Sequence, residues 1–416
     1  MNDCSGSGTR LSCIEEILLR LRTSKPSRQN AKQTMNETTK NSGSAQNVHL
    51  LYGEGTKRRL LLIGILVFLL ITASIISAGI GTVSISPADT LLAIGEGTRN
   101  AAIVVVPSLN NVITITLPAP ENPQAGIIVN NFRLPRILLA ILTGMSLAVA
   151  GTVMQGLLRN PLVSPFTLGM SSAAAFGAAM AIVIGPGIAA TLFFLSYESW
   201  IVLFAFVSGW LSMLLIYGIA RSRGTNQATL ILAGVVIGYL FQAGVLALKY
   251  LSNNDKLREL TTWLMGGMWG ASWDAVILLI PCCIVCFIIL ESMSWDMNTL
   301  AAGDDVAKSM GINVERTRLF GLMVATFVAS CCLAFTGIIG FVGLMSPHIC
   351  RMLIGNDHRY LIPASALLGA LILLVSDTVA RTILSPVEIP VGIVMYIIGG
   401  LFFLYLILRG RGRGLY

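Results

Sequence analysis

The chain has 416 residues, of which 55% are hydrophobic and only 12% charged, with a formal net charge of +8. Soluble domains average about a quarter charged residues, so this composition excludes an ordinary soluble globular protein and points to an all-α, polytopic membrane protein. A helix needs roughly 20 apolar residues to cross about 30 Å of hydrocarbon, and in lipid it must satisfy its own backbone polar groups.

Residues 1–56 are polar text such as SGSGTR and TSKPSRQNAKQTMNETTKNSGSAQN, unable to bury enough apolar surface to offset the entropy of ordering. They are predicted to be a disordered cytoplasmic tail, and the CIEEILLRLR segment within it is too short and too acidic for a signal peptide. Residues 57–416 are predicted to form a ten-helix membrane domain, with apolar runs at 60–80, 134–158, 166–185, 200–220, 228–251, 275–293, 317–337, 339–354, 361–384 and 390–408. An even number of spans places both termini on one side. If Lys57, Arg58 and Arg59 are cytoplasmic, the inner loops collect twice as many Lys and Arg as the outer ones, in keeping with the positive-inside rule. The positive charge then belongs at membrane edges near anionic headgroups, and no nucleic acid is needed to explain it.

Residues 79–132 are expected to be an enlarged external loop of apolar patches broken by Pro and Gly. Residues 252–273 read as an external surface helix ending in glycines, with Trp263, Trp269 and Trp273 suited to an interfacial belt. The charged stretch LAAGDDVAKSMGINVERTR falls on the cytoplasmic side. Gly303 and Gly311 divide residues 298–313 into two short pieces. Asp304 is the expected N-cap of the second, Gly311 the residue of positive φ that closes it, Val306, Ala307 and Met310 one face, and Asp304 with Lys308 an i, i+4 pair.

Other features carry less. Asp377 and Arg381 stand i, i+4 near the external end of the ninth span, where pairing on one helix face would relieve the cost of intramembrane charge. Cys282, Cys283 and Cys286 lie in an apolar run with no second cluster expected to complete a metal site, so they read as small buried hydrophobes, as do Cys331, Cys332 and Cys350. His348 reads as a packing residue, Gly234 and Gly238 as a close-approach pair, and RNPLVSP as a stiff turn. No GxxxxGK[ST] occurs, so the energy of ATP would have to come from a partner chain.

The segments RLPRILLAILTGMSLAVAGTVMQGLLRNPLVSPFTLGMSSAAAFGA, WLMGGMWGASW, the charged stretch, GFVGLMSPHICRMLIGNDHRYLIPASALLGA and VEIPVGIVMYIIGGLFFLYLI together resemble the FecCD type of ATP-binding-cassette importer permease, which serves iron(III)-siderophore, haem and vitamin B12 uptake. The resemblance runs in order from about residue 57 to 413; the TNQATL loop departs from it and stays unassigned. It implies a permease subunit, not an enzyme, with no cofactor and no resident metal. Expected partners are a second permease copy, a cytoplasmic ATPase dimer and an external substrate-binding protein. It casts residues 298–313 as coupling helices, with Asp304, Asp305, Lys308, Met310 and Gly311 facing the ATPase. Arg133, Arg136 and Arg381 become docking residues for the binding protein, and Asn160 and Leu162 part of an inner gate. The expected cargo is an iron(III)-siderophore-type chelate, with cobalamin or haem as alternatives. An ion-gradient-driven secondary transporter is the competing class; it would require ionisable groups at the midplane, and the spans hold few.

Overall fold

The computed structural model describes residues 56–81, 85–86, 88–90, 92–95, 124–189, 196–223 and 226–409. The polar tail lies outside this set except for its last position, as do Cys4, Cys13 and most of the first external loop. The helices described lie in the unit Leu60–Tyr416, the first of them beginning four residues ahead of it.

The described residues contain helices and no strands. Besides the helical residues 88–90 and 92–95, in chain order they are α1 (Thr56–Gly79), α2 (Ala125–Leu158), α3 (Met170–Ala189), α4 (Tyr197–Arg223), α5 (Gln227–Leu251), α6 (Asn254–Met265), α7 (Trp273–Ser292), α8 (Ser294–Ala301), α9 (Asp304–Ser309), α10 (Val314–Thr336), α11 (Val342–Ile354), α12 (His358–Thr382) and α13 (Val391–Arg409). Eight of these are long and apolar enough to span a bilayer; Met170–Gly185 and Val342–Ile354 are shorter apolar helices. All ten expected runs are therefore helical. Within 252–273 the helical part is α6, closed by Gly266 at φ +68°.

Helix starts follow local chemistry. The side chains of Asn226, Asn253, Ser272, Asn313 and Asp357 accept hydrogen bonds from backbone N–H groups in the first turns of α5, α6, α7, α10 and α12. Several boundaries differ from expectation: α3 starts at Met170, four residues late, and two others have a clear local cause. α2 begins nine residues early, because Ile128–Arg133 forms a π-helical turn that carries the helix back through residues assigned to the loop. The eighth span starts late, at Val342, since Gly337 (φ +67°) and Phe341 (φ +66°) break the helix ahead of it.

α2 is the central post, packed against α7, α10, α11 and α12. Its small residues allow this: a Cβ on Gly144 would overlap the Gly369 carbonyl of α12, and one on Gly151 the Gly343 carbonyl of α11. Gly234 and Gly238 likewise let α5 approach the backbone at Leu168 and Gly169, so the pair serves packing. The outward faces of α1, α7 and α13 stay apolar, with Phe68, Ile277, Ile284, Leu401 and Ile407 exposed. Such faces suit hydrocarbon.

Candidate functional site

α2 runs the depth of the bundle, its Leu134–Leu158 portion covering about 37 Å at 1.5 Å per residue. Each end gathers a set of the residues singled out in the sequence.

At the C-terminal end of α2 lie the two short helices. α7 passes almost directly into α8, and Gly303, at φ +135°, turns the chain into α9. Gly303, not Asp304, is the N-cap, because only glycine tolerates that backbone; Asp304 becomes the first helical residue. α9 closes with paired bonds from Gly311 N–H to the Lys308 carbonyl (3.0 Å) and from Ile312 N–H to that of Ala307 (3.0 Å), with Gly311 at φ +85°. This is a Schellman closure.

Asp304 does not pair with Lys308. Its carboxylate takes two hydrogen bonds from Arg318 Nη2 (3.0 and 3.1 Å) and an ion pair with Arg159, while Arg318 Nε donates to the Leu157 carbonyl at 3.1 Å. Arg318 is only 2% exposed, and Arg159 sits in the left-handed conformation that ends α2. The reason is geometric: two guanidinium groups converge on the N-terminus of α9, and a bidentate contact outcompetes a surface i, i+4 pair. Lys308 instead lies 3.8 Å from Asp305, both side chains well exposed. The expected apolar face also divides: Ala307 is fully buried, whereas Val306 and Met310 are exposed beside Asp305 and Lys308.

α8 is fastened to a third helix. Asn298 Nδ2 donates to Asp357 Oδ1 (2.8 Å), and the His358 N–H donates to Asn298 Oδ1 (2.8 Å), at the start of α12. Asp357 also receives Arg359, whose guanidinium lies 4.2 Å over the Trp295 ring. Hydrogen bonds from Arg359, then from Asn298, outweigh desolvation and hold the Asp357 carboxyl down at about 2. The pair of short helices is thus tied to α2, α10 and α12, and its outward surface mixes charge with apolar side chains.

Beside it, Asn160 Oδ1 accepts from the Leu162 N–H (2.9 Å), a side-chain turn that leaves Leu162 exposed. Asn226 and Gln227, from the loop left unassigned in the sequence, line one depression with Arg159 and Gly303–Val306.

The opposite end gathers the three arginines around one cleft of about 430 Å³, with Phe132, Met268, Trp269 and Glu388. Arg133 donates to the carbonyls of Ala78 (2.5 Å) and Gly79 (3.0 Å). Arg136 forks onto Asp377 (2.9 and 3.0 Å) and reaches Glu388 at 2.8 Å. Arg381 donates to the Ser77 carbonyl (2.5 Å) and hydroxyl (2.6 Å). Asp377 is therefore paired with Arg136 across helices and not with Arg381 on its own helix, since α2 delivers a whole guanidinium fork to a carboxylate that is 2% exposed. All three arginines are positioned by their own chain before any partner arrives.

The cysteines also differ from the sequence reading. Cys331 and Cys332 of α10 face Cys282 and Cys283 of α7, with sulfur separations of 3.4 and 3.9 Å, so a second cluster does meet the first. Among the described residues no group of three or more His, Cys, Asp or Glu is placed to hold a metal ion. His348 packs edge-on to Phe402 and Phe403. Arg318, Arg159, Asn298 and Glu388 were missed in the sequence. Only the cytoplasmic charge excess hinted at the first two, and nothing local marked the others.

Comparison with known proteins gives the arrangement a context. Residues 56–409 match the model of the FecCD transport family. The hemin transport system permease protein of Yersinia pestis is 40% identical, over 68% of this chain and 83% of that one. The Fe(3+)-citrate import system permease protein of Bacillus subtilis (strain 168) is 36% identical, over 84% and 96%. A solved structure, described as an inward-facing conformation of a metal-chelate type ABC transporter, aligns with a TM-score of 0.69 at 31% identity, covering 84% of this chain and 99% of that chain. With ten apolar helices in the expected order and a match across all of them, the chain belongs to the FecCD transport family, as a multi-pass permease subunit of the ATP-binding-cassette importer type, non-catalytic in itself.

Proposed function

We propose that this permease moves an iron(III)-siderophore-type chelate across the cytoplasmic membrane as one of two copies lining a pathway. A cytoplasmic ATPase dimer grips α8 and α9, and an external binding protein delivers the chelate at the arginine end. Both termini face the cytoplasm. The observation that carries the reading is α9 itself: a short helix tied by Asp304 to α2 and α10, with Asp305, Val306, Lys308 and Met310 turned outward. A rigid, externally graspable element rooted in membrane helices is what a partner needs in order to convert its own closure into a rearrangement of the bundle. Asp305, Lys308 and Met310 make the contact, Asp304 and Gly311 hold the helix that presents it, and Asn160 and Leu162 border the inner gate. Arg133, Arg136 and Arg381 set the outer docking rim.

The iron-chelate assignment is supported by the cargo named for one relative, Fe(3+)-citrate, and by the metal-chelate type of the aligned structure. A bulky chelate shields its own metal, so the apolar spans need supply no ligands. The test is uptake by cells that lack their own chelate permeases and express this chain with its ATPase and binding protein. Iron(III)-hydroxamate, iron(III)-citrate, haem and cobalamin are offered separately. Accumulation of labelled iron from a siderophore supports the assignment, and accumulation of haem or cobalamin alone overturns it.

A further inference from the structure

The helices that flank the coupling pair, α7 before it and α10 after it, also carry the facing thiols. Cys282 Sγ lies 3.4 Å from Cys331 Sγ, and both are free thiols. Cys282 is partly exposed, on a helix whose neighbouring Ile280, Ile284 and Val285 are exposed to the surroundings, while Cys331 sits behind it, 8% exposed. Cys282 is the tenth of the 20 residues of α7, about 14 Å from either end at 1.5 Å per residue, which places it at mid-membrane depth. An oxidant must partition into hydrocarbon to reach that depth, as an organic hydroperoxide with an apolar body can and a water-soluble one does not.

We infer that Cys282 and Cys331 form a dithiol site that takes a lipid-type hydroperoxide and closes to a disulfide joining α7 to α10. The Cys282 sulfur attacks the terminal peroxide oxygen; the S–O bond forms as the O–O bond breaks, and the thiol proton leaves with the alkoxide as alcohol. Cys331 sulfur then attacks the sulfenic sulfur, the S–S bond forms, the S–O bond breaks, and water departs with the second proton. Two thiols supply the two electrons that reduce one hydroperoxide to one alcohol and one water. The resulting loop, residues 282–331, contains both coupling helices, so the bond staples the two arms from which they hang.

The loss of transport expected from the staple rests on the coupling role proposed above; formation of the bond does not. The experiment exposes the full-length protein with its ATPase and binding protein, in proteoliposomes, to cumene hydroperoxide. Peptides are mapped by mass spectrometry, and ATP-driven uptake is read before and after dithiothreitol. Expected are a Cys282–Cys331 linked peptide, loss of uptake, and recovery of both on reduction. Cys282→Ser and Cys331→Ser should each remove the linked peptide and keep uptake through the oxidant, whereas Cys283→Ser should leave the response intact. If either serine variant fails to assemble, the wild-type peptide map alone decides whether the bond forms. Free thiols at both positions after treatment, or a linkage only between Cys283 and Cys332, overturns the site. A Cys282–Cys331 linkage with undiminished uptake retains the site and overturns the staple.

Discussion

Replacing Asp304 with Ala removes the one carboxylate that joins α9 to both α2 and α10. Arg318 stays behind, 2% exposed, having lost two hydrogen bonds to that carboxylate, and Arg159 loses its ion pair. Hydrogen bonds to charged groups contribute about 1.5–3 kcal/mol each where they are buried. Asp304 is 37% exposed, so solvent screening places the loss near the lower end, about 2 kcal/mol. That corresponds to about a thirtyfold rise in the population of α9 detached from the bundle. Hydrogen–deuterium exchange of the amides over 304–312, in nanodiscs, reads this population. Asp305→Ala is the control, because Asp305 makes only the exposed 3.8 Å contact to Lys308 and should shift exchange by less than about twofold. Equal exchange in the two variants would refute the anchoring argument, and ATP-driven uptake that survives Asp304→Ala would refute its consequence for coupling.

Gly311→Val should impair ATP-driven uptake without loss of the folded protein: a Cβ there meets no atom within 4 Å, so the cost is confined to forcing φ +85° on a β-branched residue, about 1–2 kcal/mol. Gly151→Ala should abolish the assembled bundle, because its Cβ would overlap the Gly343 backbone, whereas Gly400→Ala, with open space around it, should purify and unfold like the wild type; thermal unfolding in detergent separates them. Arg136→Met should cost about 3–5 kcal/mol by leaving Asp377 buried without its partner, and Arg136→Met with Asp377→Leu should recover much of that, read as yield of folded protein. In intact cells, a single cysteine at Asp305 should resist an impermeant maleimide while one at Trp269 reacts; the reverse would invert the proposed orientation.

Span number and order were legible because a run of about 20 apolar residues has few alternatives to a membrane helix. The turn chemistry of α9 was half legible. Glycine at 311 announced a positive φ, but the same logic at Gly303 displaced Asp304 from the cap and freed its carboxylate for the two arginines. What sequence could not give was registration between distant helices. Arg136 and Asp377 are 241 residues apart, and Cys282 and Cys331 are 49 apart, so only the packing of α2 on α12 and of α7 on α10 brings them together. An i, i+4 rule therefore paired Asp377 with its neighbour, when a guanidinium fork from another helix held it instead. Hydropathy likewise marked 339–354 as one run although Phe341 breaks the helix, since transfer energy reports apolarity and not backbone conformation.

The proposed function is ATP-driven import through a bundle whose handle is α8 and α9. Its most direct measurement is uptake of a labelled iron(III)-siderophore into proteoliposomes holding this permease, its ATPase and its binding protein. ATP is supplied on the ATPase side, and the ion gradients are collapsed by ionophores. ATP-coupled import predicts accumulation that requires ATP, survives the ionophores and falls in Asp304→Ala. Accumulation that follows an imposed ion gradient with no ATPase present would contradict it.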